Sequence, residues 1–392
     1  MTAPASTAGA HRAAITTALL GNFVVGSGVL VVPGMLDPLA QGLGVSVPAA
    51  GSLLSLAALA MCVGAPLLAA VTSNVDRRML LVASLLLLSF GHLLCALAPN
   101  YAVLAWVRPF SVIGAAVFTP QVAATLGLIV APQERPAAVT TAFVGWSLAS
   151  VLAMPLGNIV AYAISWRASF ALIAVLVLLA AVLVWRVIPS GLKVPPLSLQ
   201  SWHQVLGAPR LRLVLLATMA WCAGHFLVAG YITSALRTGV DASPALQAAL
   251  MGLMGACGVA GNLLLSRGVG RFGADRCALL ALGCVFVGLV GWTASLSWLH
   301  SVAGITLAIA VWGSGNFAFI SAQQARLAQT APDLASASIA LNSSSLYAGQ
   351  AMGAALGGVV VATFSFDALG PIAVAMIGVG LLLSASADRK GD

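Results

Sequence analysis

Twelve apolar stretches follow one another along the sequence, each about as long as the 20 residues a helix needs to cross a bilayer. They lie at 13–36, 47–71, 79–98, 102–129, 137–163, 168–188, 211–236, 244–266, 277–298, 302–324, 336–364 and 370–387. In hydrocarbon, backbone polar groups must be satisfied within the segment, so stretches of this kind are predicted to be membrane helices. Hydrophobic residues make up 61% of the chain and charged residues only 7%, which excludes a soluble domain. The first stretch is longer than a signal-peptide core and is expected to remain as a span.

Between the sixth and seventh stretches lies a polar linker, 189–210, with Lys193, Pro195-Pro196, Trp202 and His203. It divides the chain into 1–188 and 211–392, six stretches each. The two parts share a pattern. Gly145, Ala149, Ala153 and Gly157 put a small residue at every fourth position, one face of a helix. Ser345, Gly349, Gly353 and Gly357 repeat it 200 residues later, and Ala131-Pro132 recurs as Ala331-Pro332. Small faces let membrane helices approach closely. Two similar halves packed through them predict a molecule that rocks, with the fifth and eleventh helices making the contacts that slide.

All 17 Lys and Arg residues except Arg108, Arg167 and Arg237 fall on the side of the N-terminus. The positive-inside rule therefore places both termini and the linker in the cytoplasm. It also explains the net charge of +8 without a nucleic-acid partner. The six cysteines (Cys62, Cys95, Cys222, Cys257, Cys277, Cys284) form no CxxC pair, so neither a disulfide nor a metal site is expected. HExxH, a GxSxG with partners and paired carboxylates are also absent, which argues against an embedded enzyme. No cofactor is expected.

Several short motifs, in order, resemble the major facilitator superfamily. Cys95-Ala96-Leu97-Ala98-Pro99-Asn100-Tyr101 followed by Arg108 resembles the entry to its fourth helix. Pro132-Gln133-Glu134-Arg135 resembles its P-x-E-R loop, and Pro155-x-Gly157 the end of its fifth-helix antiporter motif. Ser165-Trp166-Arg167-Ala168-Ser169-Phe170 resembles the turn into helix six. Gln324-Ala325-Arg326-Leu327 and Leu341-Asn342 resemble the drug:proton antiporter branch, and within it the arabinose-efflux and purine-ribonucleoside-exporter relatives. The resemblance implies two pseudo-symmetric six-helix bundles, alternating access, export of a small molecule from the bacterial inner membrane, and a monomer. It also implies a proton as the coupling ion. One departure bears on that: the T-E-F-V of the first helix reads Gly21-Asn22-Phe23-Val24 here, so Asn22 stands for the acid. A facilitator or exchanger without proton coupling therefore stays open, as does, more remotely, a non-transporting sensor.

Ionisable groups at membrane depth are costly and mark candidate sites. Arg108 either lines the substrate path or ties helices together through carbonyls. Asp37, His225 and His92 are the candidate proton-coupling groups; Asp37 could equally face the outer water, and each histidine could be a neutral helix–helix bond. Asn22, Arg108, Gln121, Trp146, His225, Trp312, Asn316, Asn342 and Gln350 are the candidate substrate contacts, an apolar wall with a few placed polar groups. The conformational candidates are Gly145, Ala149, Ala153, Pro155, Gly157, Gly349, Gly353 and Gly357. Asp76, Arg77 and Arg78, with Asp275 and Arg276, are candidate cytoplasmic latches, each exposed pair worth about 1 kcal/mol.

Overall fold

The computed structural model describes residues 5–72, 74–131, 134–193 and 199–388. Pro132 and Gln133 of the loop motif and Pro195-Pro196 of the linker lie outside them. The first half holds α1 (Ala5–Gly34), α2 (Leu36–Leu43), α3 (Val47–Val71), α4 (Arg77–Leu97), α5 (Tyr101–Ile129), α6 (Arg135–Ala163) and α7 (Trp166–Val187). The linker carries α8 (Leu199–Gly207). The second half holds α9 (Pro209–Ala229), α10 (Ile232–Val240), α11 (Pro244–Phe272), α12 (Ala274–Ser297), α13 (Val302–Thr330), α14 (Ala335–Thr363) and α15 (Leu369–Asp388). Among the described residues, 12 helices are long and apolar enough to cross a membrane. An even number leaves both termini at one end of the bundle, the near end.

Short loops are possible because polar residues cap the helix starts. Asn100 accepts from the Val103 N–H at 3.0 Å, Ser165 from Ala168 at 3.1 Å and Ser301 from Gly304 at 3.2 Å. Large apolar side chains such as Phe90, Trp106, Phe110 and Leu264 remain exposed along the flanks, as a lipid-facing surface requires.

Two of the expected segments are broken at the far end. The first turns at Met35 (φ −119°, ψ 23°) and the seventh at Tyr231 (φ −120°, ψ 15°), the same backbone geometry in both halves. Each break starts a short helix, α2 or α10, and each short helix ends on a left-handed residue, Gly44 (φ 64°) or Asp241 (φ 49°). Apolar residues continue across both breaks, so hydropathy alone does not reveal them. The linker is also partly helical: Val205 of α8 packs with Leu211, Val214, Leu327 and Ala387, seating α8 on the second half.

The small-residue stripes lie inside the halves. Gly145 rests on the Leu19 carbonyl and the Phe23 amide of α1, and Gly157 on Val31. Gly349 and Gly353 rest on the Met219 and Ala223 carbonyls of α9, one helical turn displaced from the first half's register. The expected sliding contact through these faces is therefore corrected. The stripes bind α6 to α1 and α14 to α9, because a backbone carbonyl fits only where no Cβ stands. The halves meet elsewhere, α6 against α11 and α3 against α14. Gly255 approaches the Ser150 carbonyl and the Val151 backbone, and Gly252 faces Pro155.

Candidate functional site

The far end is closed by side chains that reach from one half to the other. Asp37, in the first turn of α2, is 1% exposed, which corrects the reading that it faces open water. It accepts from Ser234 Oγ at 2.7 Å and from the Arg237 guanidinium through Nε and Nη2, both at 3.1 Å. Ser234 and Arg237 stand on α10. Such a forked pair is directional as well as strong. The carboxylate hydrogen bond holds the Arg237 guanidinium above its usual range, against a partial desolvation that pulls it down. Thr233 Oγ1 donates to the Pro33 carbonyl at 3.3 Å. Asn158 on α6 donates to the Gly34 carbonyl at 2.9 Å and to Gln247 Oε1 on α11 at 3.3 Å. Tyr231 is fully buried at the break, its hydroxyl donating to the Ala354 carbonyl at 3.0 Å. Its ring fills the space left by Gly51 on α3 and by Gly357 and Gly358 on α14.

Inside the first half the candidate residues are wired to one another. Asn22 donates to the Ala142 carbonyl at 3.0 Å and accepts from Thr119 Oγ1 at 3.0 Å. Thr119 in turn accepts from Trp146 Nε1 at 3.0 Å, so α1, α5 and α6 share one hydroxyl. Arg108 is sealed in the same half. Its guanidinium donates to the Gly28 carbonyl at 3.0 Å and lies 3.2 Å from His92 Nε2 and 3.3 Å from Ser111 Oγ. Gln121 accepts from Arg77 at 2.5 Å, near the other end of α5.

The second half mirrors this with different residues. Thr218 Oγ1 donates to Asn342 Oδ1 at 2.8 Å and accepts from Gln323 Nε2 at 3.0 Å, joining α9, α14 and α13. Gln350 is buried on α14. Toward the far end the facing sides of α9 and α13 become aromatic. Trp221 stacks on His225 (centroids 5.7 Å, 17° between planes), His225 meets Trp312 edge-on at 5.3 Å, and Trp221 tilts over Phe319 at 5.3 Å. Asn316 stands one turn beyond Trp312.

At the near end the charged residues pair within their own half. Asp76 caps α4 through the Met79 N–H at 3.1 Å and accepts the Gly191 N–H at 2.5 Å. Slight burial pushes its carboxyl up, but the Met79, Gly191, Leu192 and Arg78 amides outweigh this and hold it below the usual carboxylate range. Arg78 lies over the Trp185 ring at 4.5 Å. Asp275 pairs with Arg210 at 3.1 Å and with Arg326, whose other donors reach Ser384 Oγ and the Ser384 carbonyl at 2.9 Å. Arg276 is exposed.

Sequence reasoning missed the roles of Ser234, Arg237, Asn158 and Gln247 at the far end, and of Trp221, Thr119 and Arg326 elsewhere. One signal was present: Ser46-x-Pro48 and Ser243-Pro244 both follow a turn residue, and so mark equivalent ends of α2 and α10.

The family model for the Major Facilitator Superfamily matches residues 18–354. The inner membrane transport protein YdhP of Escherichia coli K12 is 28% identical over 373 residues, 95% of each chain. A probable sugar efflux transporter of Helicobacter pylori (strain HPAG1) is 27% identical over 360 residues, 90% of this chain and 89% of that one. Among solved structures, the human organic anion transporter MFSD10 superposes with a TM-score of 0.74 over 95% of this chain and 99% of that chain, at 14% identity. With twelve apolar helices in two pseudo-symmetric halves and a family match across most of its length, this chain belongs to the Major Facilitator Superfamily.

Proposed function

We propose that the protein is an alternating-access exporter of small organic molecules in the bacterial inner membrane, working as a monomer with both termini in the cytoplasm. The observation that carries this reading is the asymmetry between the ends. Far-end polar contacts run between the halves, through Asp37, Arg237, Asn158 and Gln247. Near-end ion pairs and capping contacts run within each half. This supports an inward-open state, in which rocking must break the far-end set before the outside becomes accessible. The names of the similar proteins, a transport protein and a sugar efflux transporter, support export. The proposed substrate path runs between the halves, with the partly exposed Trp146 and His225 as its candidate contacts, while Asn22 and Trp312 are sealed inside their own halves.

The coupling ion is a proton, and Asp37 is the group proposed to exchange it. Its carboxylate is paired while the far end is closed and loses its partner when α2 and α10 separate. Exchange without proton coupling is the second reading; it is favoured by Asn22, bound to Ala142 and Thr119 where the branch carries an acid. Proteoliposomes with a trapped pH dye separate the two. Substrate-evoked proton movement that Asp37→Asn abolishes supports antiport. Substrate flux without proton movement contradicts it.

A further inference from the structure

At the near end of the seam between α4 and α7 we infer a headgroup site for an anionic phospholipid. The inference needs only that the chain spans a membrane, and it stands apart from what is transported. Arg78 is the second residue of α4 and Trp185 the third from the end of α7, so both lie at the near boundary of the bilayer. The Arg78 guanidinium lies 4.5 Å from the centroid of the Trp185 ring, and Trp185 is 46% exposed. Among the described residues Arg78 makes no ion pair and no side-chain hydrogen bond, and its Nε is buried without a partner. A ring face replaces only part of a cation's lost hydration, so the N–H groups still need acceptors.

The charge at this corner is positive. Arg186 follows Trp185 and is exposed. Lys193, also exposed, follows Leu192, whose carbonyl accepts the Arg77 N–H at 2.9 Å and so brings the start of the linker to the foot of α4. Arg77 itself is buried and bonded to Gln121. The neighbouring acid, Asp76, is occupied by the Met79 and Gly191 amides.

Away from this corner the surface becomes aliphatic. Met79 and Leu86 of α4 and Leu179 and Val182 of α7 are between 42% and 57% exposed. The two helices are fastened along the seam, where Ser89 Oγ donates to the Ala174 carbonyl at 2.8 Å. A ligand here finds guanidinium donors for a phosphate at one end and apolar side chains along its flank. A phospholipid of the near leaflet satisfies both, whereas a free phosphate satisfies only the first. The headgroup must also be anionic. Choline or ethanolamine would bring a further cation to a corner whose one carboxylate is already bonded, and basic sites between membrane helices favour anionic headgroups. The corresponding seam of the second half, α12 against α15, has no aromatic residue on α15, so the platform is particular to the first half.

Native mass spectrometry of the detergent-purified full chain, with dioleoylphosphatidylglycerol against dioleoylphosphatidylcholine, tests the assignment. The first phosphatidylglycerol is expected to bind about tenfold more tightly than the first phosphatidylcholine. Arg78→Gln and Trp185→Leu should each weaken phosphatidylglycerol about fivefold and leave phosphatidylcholine unchanged. Arg267→Gln, which removes an exposed cation of the second half, should change neither. Glycerol phosphate, the headgroup without tails, should not displace the lipid. All variants should unfold at the wild-type thermal midpoint in lipid-free detergent, and phosphatidylglycerol should raise the midpoint of the wild type but not of Arg78→Gln. Equal binding of the two lipids, unchanged affinity in Arg78→Gln, or an equal loss in Arg267→Gln overturns the site in favour of diffuse attraction. Displacement by glycerol phosphate overturns the lipid in favour of a free anion.

Discussion

Asp37 and Arg237 meet across the two halves, 200 residues apart in the chain, through two N–H···O contacts of 3.1 Å. The carboxylate is almost fully buried, whereas the guanidinium is 45% exposed. Removing Arg237 therefore strands a buried charge, and the half-exposed partner reduces the loss below that of a fully buried pair, to about 2 kcal/mol. Arg237→Ala is expected to raise the far-end-open fraction roughly thirtyfold. Modification rates of a cysteine placed at Ser234 by a membrane-impermeant thiol reagent check this; an unchanged rate contradicts it.

Tyr231 closes the same end by shape. A side chain at Gly51 collides with the tyrosine ring, so Gly51→Val should prevent closure and raise the same modification rate. Tyr231→Phe removes only the hydroxyl bond to Ala354 and should cost about 1 kcal/mol, with a correspondingly smaller rise. Equal effects from the two changes would contradict the wedge.

Glycines in the stripes and glycines between the halves should fail differently. Gly145→Val and Gly349→Val push against the Leu19 and Met219 carbonyls within a half and should lower the thermal midpoint, at about 1–3 kcal/mol or more each. Gly255→Val meets Val151 across the halves and should alter closure with a smaller change in midpoint. Fluorescence-detected thermal unfolding beside the accessibility assay separates the two classes.

Asp76 carries a pH prediction. Its carboxyl is held below the usual range in the folded protein, so its stabilising contribution is present above the unfolded value, about 3.9, and is lost as pH falls through the folded value. Between pH 5 and pH 8 the contribution is constant. Asp76→Asn should therefore lower the thermal midpoint by the same amount at pH 5 and pH 8. A deficit that disappears at pH 5 contradicts the assignment.

The sequence shows the twelve spans because length and hydropathy are local properties, and it shows which faces of α6 and α14 are small. It does not show which helix meets those faces, since the partner of Gly145 is a backbone carbonyl. Arg108 illustrates the same limit. Its depth is legible, but one of its acceptors, the Gly28 carbonyl, belongs to no side chain. Asp37 is legible as an acid near a helix end, but its partner lies in the other half. The breaks at Met35 and Tyr231 pass unnoticed because apolar residues run through them. Among the candidate contacts, Trp312 and His225 come together, while Trp221, which links them to Phe319, carries no pattern of its own in the sequence.

The central claim is that the two ends open in alternation. Pulsed electron resonance between spin labels at Gln41 and Ser243, at the far end, and between labels at Glu134 and Asp333, at the near end, tests it most directly. All four residues are exposed. The account predicts a short far-end distance in the native protein, and in Arg237→Ala a second population in which the far-end distance lengthens as the near-end distance shortens. A far-end distance that never changes, or that lengthens while the near end stays fixed, would contradict it.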